Sequence, residues 1–289
     1  MNFSYYPGCS LHSTAAEYGT STEAVFRALD ISLKELPEWN CCGATSGHTA
    51  STYLSHALAL RNLLLAQDEG YELLVPCAAC YNALRSAQAF LAAGGNEAER
   101  LQHEISSLMG RKYQGRTEVR HLIEVLARPE VLSLIAARQR LSLAGLKLAA
   151  YYGCLLTRPP KVASFETNAE QPQSMDRLLR ALGAEPVSWS HKTECCGASL
   201  SIPAPEIVGE LVGKIVRAAR RAGAEAIVTA CPLCQTNLDS RQPEEAEIPV
   251  FFVTELVGLA LGLPALPWLR KHLVDPLSLL KTHNLLPAA

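Results

Sequence analysis

An excess of charge of one sign is missing from this 289-residue chain. It carries 26 basic and 28 acidic residues, which give a net charge of −2 and an isoelectric point near 6.5. Proteins that bind nucleic acid or anionic membrane surfaces usually display a strongly basic face. We therefore expect neither nucleic acid nor an anionic membrane surface among the partners of this protein.

Long hydrophobic runs are also absent. The most apolar late stretch, residues 251–269, is interrupted by Glu255, Pro264 and Pro267, and its helical part is too short to span a bilayer. The first ten residues, MNFSYYPGCS, lack the basic and apolar regions of a signal peptide. We expect a cytoplasmic protein with no direct membrane insertion.

Cysteine, in contrast, is abundant, with ten residues in the chain. Disulfides rarely persist in a reducing compartment, so a cysteine-rich chain there usually binds metal or performs redox chemistry. Two of the cysteines, Cys41 and Cys42, are adjacent, and Cα atoms about 3.8 Å apart are poorly placed for a disulfide. The composition therefore favours metal binding over a disulfide framework.

The cysteines form an internal repeat. The first five follow the spacing C-x31-CCG-x33-C-x2-C, and the last five follow C-x40-CCG-x33-C-x2-C. Each double cysteine is followed by a glycine, Gly43 or Gly197, which we expect to let the backbone pack tightly against a bulky cofactor. Two copies with the same 33-residue gap indicate a tandem duplication.

Strands and helices alternate within each copy. A short apolar strand leads to the first cysteine, a second strand precedes the CCG, and a buried strand ends at the CxxC. The intervening periodicity predicts helices over 13–29, 51–69, 174–182 and 206–222. This order predicts an α/β fold with a small parallel sheet in each of two units, and ligands at the carboxyl ends of the strands.

The repeat also suggests where the chain divides. The first CCG domain covers residues 1–142 and includes a helical spacer from about residue 91, with a strand expected at 117–120. The second CCG domain covers residues 143–289 and ends in a C-terminal arm.

Five thiols in each unit restrict the choice of metal. A structural zinc ion takes four ligands and would leave one thiol spare, while a thioredoxin-like CxxC uses only two. Iron–sulfur clusters fit the count best, although five thiolates exceed one cysteine per iron in an ordinary four-iron cube. The spacing does not fix the cluster geometry, and zinc in one site is the minor alternative.

The sequence around these cysteines resembles the B subunit of heterodisulfide reductase. The resemblance runs over nearly the whole chain, and its motifs are YYPGCSLHSTAAEYG, LPEWNCCGAT, VPCAACYNAL, YYGCLLTRPP and ACPLCQTNL. The CCG signature also occurs in redox subunits of glycolate oxidase, anaerobic glycerol-phosphate dehydrogenase and thiol:fumarate reductase. The absence of a separate ferredoxin-type cysteine run favours the stand-alone B subunit.

The resemblance implies two noncubane [4Fe-4S] clusters that lie face to face, because the two CCG units are related by a pseudo-twofold. It assigns Cys9, Cys41, Cys42, Cys77 and Cys80 to the first cluster. It assigns Cys154, Cys195, Cys196, Cys231 and Cys234 to the second. No catalytic side chain is marked in the sequence, so the clusters themselves are the expected reactive centres.

The resemblance further implies an oxidoreductase component that reduces a disulfide of small thiols, of the CoM-S-S-CoB type. Its expected partners within a heterodisulfide reductase-type complex are the iron–sulfur C subunit and the flavin-containing A subunit. Two alternatives remain: a non-catalytic electron-transfer subunit, or a sulfur-oxidising complex that acts on a lipoyl-bound sulfur carrier.

Overall fold

Eight short strands form two separate parallel sheets in the computed structural model, which describes residues 1–286. The last three residues of the predicted C-terminal arm, 287–289, lie outside the described residues. The strands of the first sheet are β1 (Asn2–Tyr5), β2 (Ser32–Glu35), β3 (Leu73–Val75) and β4 (Val119–His121). Those of the second are β5 (Lys147–Tyr151), β6 (Glu185–Pro186), β7 (Ala226–Thr229) and β8 (Val250–Phe252).

The two sheets have the same strand order. The first runs β2-β1-β3-β4 and the second β6-β5-β7-β8, with every pair parallel. In each sheet the chain leaves the two central strands in opposite directions, which opens a crevice at their carboxyl ends. This topology confirms the predicted α/β duplication, and we call the parts built on the two sheets the first and the second unit.

Fourteen α-helices flank the sheets within residues 1–286. The first unit contains α1 (Ala16–Ala28), α2 (Ser46–Ala50), α3 (Thr52–Glu69), α4 (Ala78–Ala93), α5 (Asn96–Met109), α6 (Leu122–Leu126) and α7 (Pro129–Arg138). The second contains α8 (Pro160–Ala163), α9 (Ser174–Ala181), α10 (Pro205–Arg221), α11 (Pro232–Ser240), α12 (Val253–Ala260), α13 (Leu266–Leu269) and α14 (Leu277–Thr282). Three 3-10 helices cover Cys9–His12, Ala198–Leu200 and Glu244–Ala246.

Local sequence explains the ends of the two longest helices that follow the CCG motifs. The Ser51 hydroxyl accepts a hydrogen bond from the Leu54 backbone N–H and caps the start of α3, and Gly70 ends that helix in the left-handed conformation. Helix α10 begins at Pro205, whose ring suits the first helical turn. Both helices match the predicted ranges to within one residue.

The region after residue 91 does more than connect the units. Strand β4 pairs with β3 and closes the first sheet, and it overlaps the stretch 117–120 where the sequence predicts a strand. Arg120 on this strand binds the Glu72 carboxylate at 2.7 Å, next to the start of β3. The region thus supplies the fourth strand of the first sheet.

Helices α1 and α12 join the two units. The Ser21 and Thr254 hydroxyls form a buried hydrogen bond of 2.7 Å between these helices. Beside this contact, Tyr18 of the first unit stacks on Phe252 of the second, with ring centroids 4.2 Å apart. The unit interface is therefore part of the buried core.

Among residues 1–286, no helix combines the length and the apolar composition that a bilayer crossing requires.

Candidate metal centre

All ten cysteines lie near the carboxyl ends of strands, and all are free thiols. Cys9 begins the 3-10 helix that follows β1, and the pair Cys41–Cys42 lies in the loop after β2. Cys77 follows β3 and Cys80 lies in the first turn of α4. The five cysteines of the second unit occupy the corresponding places after β5, β6 and β7. The topology therefore gathers each predicted ligand set at one sheet edge.

The first ligand set has a buried and an open side. Cys42, Cys77 and Cys80 are only 3 to 4% exposed, and the Sγ atoms of Cys42 and Cys80 lie 3.1 Å apart. Cys9 and Cys41 are exposed to solvent. A group held by these five thiols would be sheltered on the protein side and accessible from outside.

The second ligand set repeats this arrangement. Cys196, Cys231 and Cys234 are buried, and the Sγ atoms of Cys196 and Cys234 lie 3.5 Å apart. Cys195 is exposed and Cys154 is partly exposed. The duplication therefore covers the burial of the last three thiols of each set as well as the spacing of the cysteines.

The two sets meet at the first cysteine of each CxxC. The side chains of Cys77 and Cys231, which belong to different units, lie close enough to shift each other's pKa. This contact raises the pKa of Cys77, and hydrogen bonds from Cys234 and Cys77 hold the pKa of Cys231 well below its usual value. The candidate metal centres are thus direct neighbours.

Crowding of the thiols also separates their acidities within each set. Hydrogen bonds from the Cys41 and Cys80 thiols hold the pKa of Cys42 below its usual value, while the pKa of Cys41 rises. A hydrogen bond from Cys154 lowers the pKa of Cys195 to about 6. Several thiolates cannot share such a space without cations to balance them, and metal binding deprotonates thiols.

Two glycines allow close approach of the backbone to buried sulfurs. A Cβ on Gly8 would lie 3.0 Å from Cys80 Sγ, and a Cβ on Gly153 would lie 3.2 Å from Cys234 Sγ. Both glycines have positive φ angles, 72° and 70°, and each immediately precedes the first cysteine of its unit. The backbone here is shaped around the cysteine sulfurs.

The glycines of the CCG motifs lie against the helix that follows each motif. A Cβ on Gly43 would lie 3.0 Å from the Leu58 side chain of α3, and a Cβ on Gly197 would lie 3.0 Å from Leu211 of α10. Both have positive φ angles, 75° and 77°. A side chain at either position would therefore collide with the following helix.

Two tyrosines that the sequence reasoning missed fix the double-cysteine loops. Tyr6 Oη donates to the carbonyl of Asn40, 2.8 Å away, and Tyr151 Oη donates to the carbonyl of Glu194, 2.6 Å away. Each accepting residue immediately precedes a CC pair. The shared offset of these tyrosines from Cys9 and Cys154 was the signal that could have identified them.

A histidine at the junction of the two units was also missed. His121 is fully buried at the end of β4, and its Nε2 lies 3.0 Å from the Pro76 carbonyl oxygen. Burial lowers the pKa of His121 to about 4, so the imidazole is neutral. Because His121 is far in sequence from every cysteine, nothing in the sequence indicates that it lies at this junction.

The donor set fits an iron–sulfur group better than a single ion. Within residues 1–286, no three or more His, Cys, Asp or Glu side chains converge as ligands of one metal ion. The thiols instead form two crowded five-membered sets, each with a backbone glycine against a buried sulfur. Clusters with several irons accept more thiolates than one ion does.

Known proteins are similar to this chain in sequence and in fold. The cysteine-rich CCG domain family matches at residues 3–85 and 148–239. The 8-methylmenaquinol:fumarate reductase membrane anchor subunit of Wolinella succinogenes is 34% identical, over 91% of this chain and 93% of its own. The B subunit of the ferredoxin/F420H2-dependent CoB-CoM heterodisulfide reductase of Methanosarcina acetivorans is 31% identical, over 90% and 89%.

A solved structure of a hypothetical protein from Helicobacter pylori shows the same fold. Its TM-score is 0.72 at 12% identity, and the match covers 95% of this chain. The chain spans about half, 52%, of the length of that protein. Together with the duplicated cysteine pattern, these matches show that the chain belongs to the cysteine-rich CCG domain family and, within it, to the relatives of the heterodisulfide reductase B subunit.

Proposed function

We propose that this protein is the catalytic subunit of a heterodisulfide reductase-like complex that reduces a disulfide of small thiols, of the CoM-S-S-CoB type. The observation that carries the proposal is that two matching five-thiol sets adjoin at the unit interface, where Asn82 of the first CxxC helix bonds the segment after Cys154 and where Cys77 and Cys231 shift each other's pKa. Reduction of a disulfide consumes two electrons and two protons and yields two thiols. Two neighbouring redox groups, each supplying one electron, match that requirement.

The proposed cofactors are two noncubane [4Fe-4S] clusters, one on each ligand set. The first would be held by Cys9, Cys41, Cys42, Cys77 and Cys80, and the second by Cys154, Cys195, Cys196, Cys231 and Cys234. When bound, each cluster supplies reversible one-electron chemistry. Zinc in one site is the alternative that metal analysis distinguishes.

The protein side chains would shield these groups and leave an approach for the substrate. The buried thiols and the residues behind them, including Tyr6 and Tyr151, exclude water from the protein side. Exposed Cys41 and Cys195 mark the open side. A disulfide would enter there and reach both sites, since the sites adjoin.

Contacts across the unit interface would hold the open sides of the two cluster sites at a fixed distance from each other. The Asn82 side-chain amide on α4 donates to the carbonyls of Leu155 and Arg158, at 2.8 and 2.9 Å. These carbonyls lie just after Cys154, so the CxxC helix of the first unit clamps the first ligand segment of the second. A rigid junction suits a substrate that must contact both sites together.

For partners, we propose the iron–sulfur C subunit and the flavin-containing A subunit of a heterodisulfide reductase-type complex in the cytoplasm. Components of heterodisulfide reductases are among the relatives at 25 to 31% identity. Electrons would pass from the flavin through the iron–sulfur partner to the thiol-bound clusters.

A second candidate is an electron-transfer subunit that does not bind a disulfide. It is favoured by the 34% identity to the fumarate reductase membrane anchor of Wolinella succinogenes, which covers almost the whole of both chains. A sulfur-oxidising complex with a lipoyl-bound sulfur carrier would use the same centres in the opposite direction.

The first experiment measures iron, zinc and acid-labile sulfide in protein purified without oxygen. About eight iron and eight sulfide per chain are expected for two four-iron clusters. About four iron with one zinc would contradict the two-cluster proposal.

A titration of the reduced protein with CoM-S-S-CoB, monitored by the cluster spectrum, then separates the candidate functions. A spectral change supports the reductase, and an unchanged spectrum supports the electron-transfer role.

A further inference from the structure

His121 lies where the two candidate metal centres meet, and it is not one of the predicted ligands. It ends strand β4 and is 0% exposed. Tyr81 and Phe165 enclose the imidazole, with centroids 5.5 and 6.2 Å away. Tyr81 belongs to the first unit and Phe165 to the second, so His121 is buried in the unit interface.

The hydrogen bonds of His121 determine its tautomer and the acceptor of its N–H. Nδ1 accepts from the backbone N–H of Ile123 at 3.2 Å, which leaves the proton on Nε2. Nε2–H therefore donates to the carbonyl of Pro76 at 3.0 Å. The Tyr18 hydroxyl donates to the same oxygen at 3.2 Å. Two buried donors thus hold the peptide group that leads into Cys77.

The same imidazole faces the other unit. Its ring stacks on Phe165 of the second unit, where Ala230 precedes Cys231 as Pro76 precedes Cys77 in the first unit. His121 therefore contacts both the backbone that precedes Cys77 and an aromatic ring of the second unit. Loss of its N–H would leave the Pro76 carbonyl with the Tyr18 hydroxyl as its remaining donor.

The duplication gives a direct comparison for this residue. In the first sheet Val75 of β3 pairs with His121, and in the second Thr229 of β7 pairs with Phe252. Each pair lies at the same distance from its CxxC. At the position of His121 the second unit therefore has the ring of Phe252, which carries no N–H donor. Tyr18 stacks on the Phe252 ring, and Phe165 stacks on the His121 ring.

We propose that His121 is a positioning residue that fixes the junction of the two cluster sites and makes them inequivalent. The proposal rests on the proposed function, since it assumes that both ligand sets carry clusters. Donors and packing around cluster ligands tune reduction potentials. The first cluster, whose ligand Cys77 follows Pro76, would therefore differ in reduction potential from the second, whose ligand Cys231 follows Ala230. Electrons would then reduce one cluster before the other.

The test compares two substitutions of this residue. His121→Phe installs the side chain of the matching position and removes the donor, whereas His121→Gln retains a side-chain N–H. An electron paramagnetic resonance redox titration, with iron content measured in parallel, gives the potentials of the two centres. We expect two resolved potentials in the wild type, a narrower separation in His121→Phe and a wild-type separation in His121→Gln.

A packing control completes the design. Phe165→Leu loosens the contact with the His121 ring but leaves the hydrogen bond to Pro76, so the separation of the potentials should be retained. An unchanged separation in His121→Phe with full iron would overturn the proposal. Equal iron loss in both His121 variants would overturn it as well, since packing alone would then explain the residue. Absence of iron from the wild type would instead refute the proposed function.

Discussion

At the scale of single residues, the duplicated glycines show what sequence spacing can and cannot reveal. The pattern correctly singled out the glycine after each CC pair, but the tight contact there is with the helix that follows. The glycines before Cys9 and Cys154 are the ones that lie against sulfur. A repeat reveals that a glycine is required, whereas the neighbour that requires it depends on tertiary packing.

Substitution of Gly8 tests this contact. Gly8→Ala would place a methyl group 3.0 Å from Cys80 Sγ, and the backbone has φ of +72°. Gly94→Ala is a matched control, because its φ of 72° and ψ of −163° are close to the 72° and 170° of Gly8, and a Cβ there would meet nothing within 4 Å. Both changes carry a similar backbone strain, about 1–3 kcal/mol. We expect Gly8→Ala to lose about half of the iron and Gly94→Ala to keep it, by metal analysis. Equal iron in the two variants would argue against the contact.

At the scale of elements, a buried ion pair anchors helix α9 beside the second ligand set. Lys192 Nζ and Asp176 Oδ1 lie 2.6 Å apart, with side chains only 4 and 3% exposed. The Tyr152 hydroxyl also donates to this carboxylate, and the Lys192 carbonyl accepts from the backbone of Gly153. The pair thus links α9 to the segment that leads into Cys154.

Breaking this pair should destabilise the protein strongly. Lys192→Met leaves a buried carboxylate without its cation, which typically costs about 3–5 kcal/mol of unfolding free energy. Adding Asp176→Asn should recover part of the loss, because no charge is then left unpaired. Lys34→Met is the control, since its pair with Glu69 is exposed at the lysine and contributes about 1 kcal/mol or less. Urea unfolding compares the variants, and equal losses for both lysines would contradict the anchoring role.

Most elements could be predicted because their local patterns agree with their final environment. The helices after the CCG motifs match their expected ranges to within one residue, and a buried strand precedes each CxxC as expected. Strand β6 has only two residues, and β4 lies far from any cysteine, so their place in a sheet depends on partners that local sequence does not show. The same limit concealed His121, which is brought to the junction by the pairing of β4 with β3.

At the scale of the whole molecule, the repeat identified two units but not how closely they depend on each other. The Ser21–Thr254 hydrogen bond and the Tyr18–Phe252 stack cross the interface, and Cys77 and Cys231 shift each other's pKa across it. Spacing within one copy carries no information about contacts between copies. Under the proposed function this arrangement is decisive, because a substrate that needs two electrons at once requires both sites at one opening.

Separation of the units tests this dependence. We propose a division at residue 142, which lies in the connection between α7 and β5. Residues 1–142 and 143–289, produced separately, should each bind little iron, because each would expose the helix faces and the CxxC thiol that the other unit covers. Produced together, they should assemble as a one-to-one complex with about eight iron. A soluble single half that holds about four iron by itself would show that each centre is complete within its own unit. The meeting of Cys77 with Cys231 would then matter for the reaction alone and not for cluster binding.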